Sequence, residues 1–345
     1  MDGPRFQASR WSERLFRDHG NRGYTGQTGT DLTEWQRSLR NRLRETLGFP
    51  RIATRGTPPL AAKRLEVVPE PGYERQKWII RTEPGFWVPF YVLLPDSAPT
   101  PLPVVLAVHG HGPIGKELYV GRYQTEEQRA EKIAAGERDI AVQAVKRGYA
   151  AIVPDMRGFG ELADAADQHD GTNSCRTLQL HAQLVGRSLT GDRVWDVRRL
   201  IDFVEDREEF DQHRIAITGN SSGGYVSLFA AAADERIAVT VPGSTFCTFA
   251  ASIGSIHHCT CGYVPGLLEL GEMWDIAGLT APRPFLAVNG EHDGIVPIEG
   301  AQTAFAELQR IYDASDAPEH CGLYVGGGGH RYYKDAAWSF IETHL

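Results

Sequence analysis

The strand–turn–helix pattern around Ser221 constrains the fold of this chain more than any other stretch. The β-branched run Ile215–Ile217 is typical of a buried strand, and the alanine-rich residues 226–233 have high helix propensity. Between them lies Gly-x-Ser-x-Gly, formed by Gly219, Ser221 and Gly223. A serine on so tight a turn adopts strained backbone angles, and small residues two positions away let the chains pack closely. We therefore predict that the turn lifts the Ser221 hydroxyl above the edge of a sheet.

Apolar runs and amphipathic stretches alternate along most of the chain. Residues 103–108, 149–153 and 284–288 are almost entirely apolar, which is typical of parallel strands buried on both faces. Helical spacing of apolar residues occurs between such runs, for example over 188–205 and 299–311. Strands that alternate with helices predict an α/β chain with a doubly wound, mostly parallel sheet and helices on both faces.

The N-terminal part of the chain departs from this alternation. Residues 1–30 are expected to form an irregular arm, and Asp31–Leu47 has the apolar spacing of an amphipathic helix that packs on the core. Short β-rich runs between Lys63 and Leu94 predict antiparallel strands at one edge of the sheet. We therefore expect an arm and helix over residues 1–62 and the main domain over residues 63–345.

Three segments of the main domain lack a clear strand pattern. Residues 125–146 have the spacing of a helix with a break at Gly136. Residues 161–187 are polar, and we expect them to be irregular. Residues 243–279 are expected to form a lid-like insert.

Charge and hydropathy exclude two classes of partner. The formal net charge is −8 and no strong basic patch is present, so we expect no nucleic-acid partner. No apolar run approaches the ~18 residues that span a bilayer, and the first residues lack the apolar core of a signal peptide. The five cysteines, an odd number in a long chain, favour a reducing cytoplasm. We predict a cytoplasmic protein with a small-molecule substrate; the sequence leaves a homo-oligomer open.

Two downstream residues are candidates for activating the serine, which is a poor nucleophile until a base removes its proton. His330 follows four glycines after the last predicted strand, and we expect a mobile glycine backbone to bring its imidazole over the sheet. Asp293 follows the strand at 284–288 and would fix the imidazole tautomer. Glu291 is an alternative acid, and Asp293 followed by Gly294 is also a common turn.

Attack on a carbonyl creates an oxyanion that needs two hydrogen-bond donors. We expect the backbone N–H of Ser222 to be one donor and that of His111, in the loop His109–Gly112, to be the other. His109 is expected to bond within this loop. His109 and His111 do not make a metal site, because two ligands are too few. We predict no metal and no organic cofactor.

Other polar clusters are expected to be structural. Asp155 and Arg157 follow a predicted strand, and we expect them to pair with each other beneath the site. The insert contains the histidine- and cysteine-rich stretch 257–266, where a zinc site is conceivable. We expect this stretch to form a lid or a pocket wall instead, with Met273 and Trp274 as apolar lining.

Seven short motifs follow one another along most of the chain. They are Glu34–Arg37, His109–Gly112, Asp155–Gly160, Gly219–Gly224, Ala281–Pro284, Gly290–Asp293 and Gly329–His330. Together they resemble the α/β-hydrolase superfamily, and more narrowly its dienelactone-hydrolase-like and acetyl xylan esterase-like branch. The resemblance implies the α/β-hydrolase fold. Dienelactone hydrolases proper carry a cysteine nucleophile, so Ser221 departs from them and favours ordinary carboxylic esters.

The sequence therefore predicts a serine carboxylic ester hydrolase that uses Ser221, His330 and Asp293 and forms an acyl-enzyme. A short-acyl ester such as an acetylated carbohydrate is implied by the resemblance alone, because this fold carries many activities. Two alternatives stay open. One is an amidase or peptidase with the same triad, and the other is a catalytically silent scaffold that binds a sugar or a protein.

Overall fold

A computed structural model describes residues 8–17, 23–134, 136–169 and 172–345. In these residues one sheet has the strand order β1-β2-β3-β5-β4-β6-β7-β8-β9. The strands are β1 Lys63–Glu70, β2 Tyr73–Glu83, β3 Phe86–Pro95, β4 Leu102–Val108, β5 Ala150–Pro154, β6 Phe210–Asn220, β7 Val239–Gly243, β8 Phe285–Gly290 and β9 Cys321–Gly326. The helices are α1 Ala8–Arg17, α2 Gly29–Thr46, α3 Phe49–Ala53, α4 Glu126–Ala134, α5 Ile140–Val145, α6 Ala165–His169, α7 Cys175–Leu184, α8 Leu189–Glu205, α9 Ser222–Ala233, α10 Met273–Gly278, α11 Ile298–Ala314 and α12 Lys334–His344.

The predicted sheet is confirmed, because strands β4 to β9 are parallel and β1 to β3 form an antiparallel edge that joins β5. Strand β4 is buried on both faces. Val104, Leu106 and Val108 face one core, and Val105 and Ala107 face the other. The first core packs against helices that include α8, α9 and α11, and the second packs against α5 and α12. Helices on both faces therefore cover the sheet, as a parallel sheet requires.

The amphipathic helix predicted at 31–47 is α2, and it packs on the main domain. Leu39 and Leu43 are buried in the first core. Arg40 donates from Nε to the carbonyl oxygen of Ala232 (3.1 Å) and from Nη2 to that of Leu279 (2.8 Å). These two carbonyl groups lie at the C-terminal ends of α9 and α10, so Arg40 links α2 to both helices. The division of the chain at residue 62 stays a prediction.

Two segments that were expected to be irregular contain helices. Within 1–30, residues 8–17 form α1, and a Cβ added at Gly254 of the insert would lie 2.4 Å from the ring of Phe16. Packing against the insert therefore supports a helix that its own composition does not predict; residues 1–7 and 18–22 lie outside the described residues.

Within 161–187, α6 and α7 form instead of a loop. The buried face of α7 includes the polar residue Gln179, so the sequence does not show the regular apolar spacing that predicts a helix. Gln179 donates to the carbonyl oxygen of Tyr263 (2.7 Å) and accepts from the N–H of Leu189 (2.8 Å). The break predicted near Gly136 is confirmed between α4 and α5. None of the described helices combines the length and apolar character that crossing a bilayer requires.

Candidate active site

Ser221 lies at the junction of β6 and α9 in a strained conformation, with φ 59° and ψ −127°. The motif glycines make this junction possible. A Cβ at Gly219 or Gly223 would lie 2.2 or 2.0 Å from the carbonyl oxygen of Val108 in the neighbouring strand β4. The turn can therefore approach β4 this closely only without side chains at these two positions.

Three hydrogen bonds hold the strained turn in place. The Ser221 N–H donates to the carbonyl oxygen of Gly243 (2.8 Å), and the Ser221 carbonyl oxygen accepts from Oγ1 of Thr245 (2.6 Å). The N–H of Asn220 donates to the hydroxyl of Tyr119 (2.9 Å). Sequence reasoning missed Thr245 and Tyr119, because they belong to no motif and reach the serine only through the fold.

His330 and Asp293 are joined by a hydrogen bond of 2.7 Å between Nδ1 and Oδ2. The second carboxylate oxygen, Oδ1, accepts from the backbone N–H groups of Ile295 (2.9 Å) and Val296 (3.1 Å). A carboxylate only accepts hydrogen bonds, so it keeps the proton of the imidazole on Nδ1 and leaves Nε2 free to accept. Glu291, the alternative acid, is exposed and is not the carboxylate that His330 contacts.

The loops that carry the acid and the base are bonded to each other. The N–H of Glu291 donates to the carbonyl oxygen of Gly326 (2.8 Å). Within the loop of the base, the hydroxyl of Tyr333 donates to the carbonyl oxygen of Gly329 (2.9 Å) and accepts from the N–H of Gly328 (3.1 Å). A Cβ at Gly326 would lie 2.1 Å from the Tyr333 ring. Close packing against this ring, rather than mobility, explains a glycine at position 326.

A cavity of about 40 Å³ lies between these elements and is lined by Ser221, Ser222 and His330. No hydrogen bond joins the Ser221 hydroxyl to His330 within the residues described. The nucleophile and the base therefore line the same cavity but are not hydrogen-bonded to each other. Free enzymes often have long catalytic hydrogen bonds that tighten with substrate.

The insert at 243–279 forms one wall of this cavity. It contributes the apolar side chains of Ile253 and Met273, as well as several polar residues. Met273 was expected in the lining, whereas Trp274, expected beside it, packs against the first core instead. Ile295 and Val296, next to the acid, add further apolar lining.

The first expected oxyanion donor, Ser222, follows the nucleophile directly, and the second, His111, belongs to the loop after β4. The N–H of Ser222 opens α9, where the helix dipole favours negative charge. The loop after β4 touches the turn, since a Cβ at Gly110 would lie 2.5 Å from the carbonyl oxygen of Asn220. Within the described chain, neither the N–H of Ser222 nor that of His111 has a hydrogen-bond acceptor.

His109 has the expected structural role. Its Nδ1 lies 2.8 Å from the carbonyl oxygen of Gly110, and its Nε2 accepts from the N–H of Met156 (2.9 Å). Burial lowers the pKa of His109 to about 3. The imidazole is therefore neutral, and it ties the loop after β4 to the loop after β5.

The pairing expected between Asp155 and Arg157 is wrong. Asp155 accepts from Nζ of Lys116 (2.7 Å), and Arg157 donates to Asp196 (2.7 Å). Each side chain therefore pairs with a residue 39 positions away in sequence instead of with the other. Both residues are buried and structural, as expected.

Comparison with known proteins gives a consistent result. The sequence profile of the Abhydrolase family matches residues 24–326. YtaP of Bacillus subtilis, which is named as a hydrolase, is 26% identical over 249 residues, covering 70% of this chain and 77% of that protein. The 4-O-methyl-glucuronoyl methylesterase 1 of Wolfiporia cocos is 27% identical over 218 residues, which cover 53% of each chain.

The fold comparison reaches further along the chain. A Bacteroides fragilis protein described as an acetyl xylan esterase superposes with a TM-score of 0.77 at 19% identity, covering 97% of this chain and 85% of that one. The profile match begins before α2 and ends with β9, so it includes the serine turn and the acid. On this basis the chain belongs to the Abhydrolase family and has the α/β-hydrolase fold.

Proposed function

We propose that this protein is a serine carboxylic ester hydrolase with Ser221, His330 and Asp293 as its catalytic triad. The observation that carries the proposal is the 2.7 Å bond between His330 Nδ1 and Asp293 Oδ2, on an imidazole that lines the same cavity as the strained serine. The relatives named as a methylesterase and an acetyl xylan esterase support ester chemistry.

The residues supply each proton transfer of a two-step reaction. His330 Nε2 takes the hydroxyl proton as Ser221 Oγ attacks the ester carbonyl, and the N–H groups of Ser222 and His111 stabilise the oxyanion. His330 then gives this proton to the leaving oxygen, so that an alcohol departs and the acyl group stays on Ser221. Water attacks the acyl-enzyme, passes a proton to His330, and the acid is released as Ser221 regains its proton.

The cavity size supports a short acyl group. A water molecule needs about 10–15 Å³ by this measure, so 40 Å³ accommodates roughly three water-sized groups. A space of this size favours an acetyl group over a long acyl chain. Together with the acetyl xylan esterase named among the similar structures, this favours acetylated carbohydrates as the substrate class.

Replacement of the nucleophile tests the proposal. Ser221→Ala should lower kcat for p-nitrophenyl acetate by several orders of magnitude and leave the fold intact, because residual activity then comes from binding and the oxyanion donors alone. Ser38→Ala, at an exposed position of α2, is the matched control and should keep wild-type turnover. Near-normal turnover by Ser221→Ala would refute the assignment.

Two further measurements separate the alternatives. A silent scaffold has no activated serine, so a fluorophosphonate probe should label the wild type and not Ser221→Ala if the proposal is right. An amidase would hydrolyse p-nitroacetanilide as well as the matching acetate ester, whereas an esterase should strongly prefer the ester.

A further inference from the structure

Four potential metal ligands meet beside the active-site cavity. The ligand atoms of His111, Cys175, Cys259 and Cys261 all lie within 4.8 Å of one another. The Sγ of Cys261 is 3.3 Å from the Sγ of Cys259 and 3.4 Å from Nε2 of His111. We propose that these four side chains bind one zinc ion.

The spacing and the ligand types fit tetrahedral zinc. With Zn–S distances of about 2.3 Å and Zn–N distances of about 2.0 Å, a tetrahedral ion separates its ligand atoms by roughly 3.5–3.8 Å. The separations from Cys261 Sγ to Cys259 Sγ and to His111 Nε2 lie close to this range. Because all four ligand atoms lie within 4.8 Å of one another, small side-chain movements would complete the tetrahedron. Three thiolates and one imidazole are soft and borderline ligands, which select zinc over magnesium or calcium.

The three sulfurs have no other covalent role in the structure. All three cysteines are free thiols, and the 3.3 Å between Cys259 and Cys261 is well beyond the ~2.05 Å of a disulfide. Cys175 and Cys261 are buried. The ligands come from three separate segments: the loop after β4, the first turn of α7 and the insert. The fold therefore brings together ligands that are far apart in sequence, unlike a pair of cysteines that are close only because they are near in sequence.

A buried cation balances the charge that such a site would carry. Zinc with three thiolates and a neutral imidazole has a net charge of −1. Nη2 of Arg193, a fully buried residue, lies 3.2 Å from the Sγ of Cys175. The same guanidinium donates twice to the carbonyl oxygen of Arg157, which fixes its position. Outer partners of this kind orient ligands and tune metal affinity.

Neighbouring hydrogen bonds hold the insert where its two cysteines meet the other ligands. Oγ1 of Thr190 donates to the carbonyl oxygen of Cys261 (2.6 Å), and the hydroxyl of Tyr225 donates to that of Gly262 (2.9 Å). The backbone at Cys261 is therefore held in place by the protein fold, which lowers the ordering cost of binding an ion there.

The site is structural, because four protein ligands fill a tetrahedron and leave no position for substrate. Its side-chain ligand His111 also carries the backbone N–H assigned to the oxyanion. The ion would thus fasten the oxyanion loop to the wall of the acyl pocket, a consequence that rests on the proposed function. The metal content itself does not depend on that function.

Metal analysis of the 345-residue chain tests the proposal directly. Protein purified under reducing conditions and passed through chelator-free gel filtration should contain one zinc ion per chain by plasma mass spectrometry. After removal of the metal with a chelator, added Co²⁺ should give thiolate-to-cobalt charge-transfer absorption and the intense d–d bands of a tetrahedral site. Absence of zinc together with no cobalt uptake overturns the proposal, and so does a different stoichiometric metal or a Cys259–Cys261 disulfide.

Matched variants locate the ion. Cys259→Ser changes the partly exposed ligand and should weaken zinc binding by more than the roughly 10–100-fold that loss of an outer partner costs. Cys321→Ser replaces a buried cysteine in β9 outside the cluster and should retain zinc. Equal zinc content in the two variants overturns the assignment. An active esterase without zinc refutes this inference alone, and a zinc protein without an activated serine refutes the proposed function alone.

Discussion

Replacing Asp293 with asparagine should stop catalysis and leave the fold in place. Oδ1 accepts from the N–H groups of Ile295 and Val296, and an amide oxygen would keep both bonds. The amide nitrogen would then occupy the position of Oδ2, which now accepts from His330 Nδ1 at 2.7 Å. Two donors cannot share this contact, so the imidazole would move its proton to Nε2 and present it to Ser221.

The expected loss follows from this change of tautomer. An imidazole with its proton on Nε2 has no lone pair to receive the hydroxyl proton of Ser221. The corresponding exchange in a serine protease triad lowers kcat about 10⁴-fold. At 1.36 kcal/mol for each factor of ten, this is about 5.4 kcal/mol of transition-state stabilisation. The free energy of unfolding should change by only about 1 kcal/mol, because the acid loop keeps its backbone hydrogen bonds.

Turnover of p-nitrophenyl acetate and thermal denaturation, measured on the same preparation, check both parts. Glu291→Gln is the matched control, because Glu291 lies two residues away, is exposed and is the alternative acid. It should keep wild-type turnover. Activity of Asp293→Asn within tenfold of the wild type would refute the reasoning, as would a large loss in Glu291→Gln.

Three further substitutions test the scaffold and the pocket. Gly223→Ala should cost at least about 1–3 kcal/mol of stability, measured by thermal denaturation, because its Cβ would lie 2.0 Å from a carbonyl oxygen; an unchanged melting temperature would contradict the close approach. Arg157→Met leaves buried Asp196 unpaired and should cost about 3–5 kcal/mol, or about 4–7 °C at ~2.1 cal/mol/K per residue, whereas Arg37→Met at an exposed pair should cost less than ~1 kcal/mol. Ile295→Ala widens the cavity, so the ratio of kcat/KM for butyrate to that for acetate should rise by up to about fourfold per methylene, at about 0.8 kcal/mol each; a constant ratio would place the acyl group elsewhere.

Local patterns were enough to predict the elements that position the serine. Strand β4 is apolar throughout because both of its faces are buried, and the run at 103–108 shows this directly. The helix predicted over 188–205 is α8, Leu189–Glu205, because the spacing of its apolar residues is regular. The motif glycines were also predictable from the local sequence, because a tight turn between a strand and a helix needs small residues on both sides of the serine.

Contacts between distant segments could not be predicted in this way. The apolar spacing of helix α7 is interrupted by Gln179, a polar residue on its buried face. The side-chain amide of Gln179 donates to the carbonyl oxygen of Tyr263, 84 residues away. Arg157 pairs with Asp196, 39 residues away, instead of with its near neighbour Asp155. The sequence also separates His111 from Cys261 by 150 residues, so a histidine that appeared to lack enough ligand partners gains them only through folding.

The ladder that joins the loops of the acid and the base has a consequence for how this protein can vary. Strands β8 and β9 pair in parallel up to Gly290 and Gly326, and the hydrogen bonds continue between the loops that follow. Most surface loops absorb insertions and deletions at little cost. Here a single added residue in either loop would slide the carboxylate past the imidazole, so we expect relatives that keep the reaction to keep both loop lengths and to diverge elsewhere on the surface.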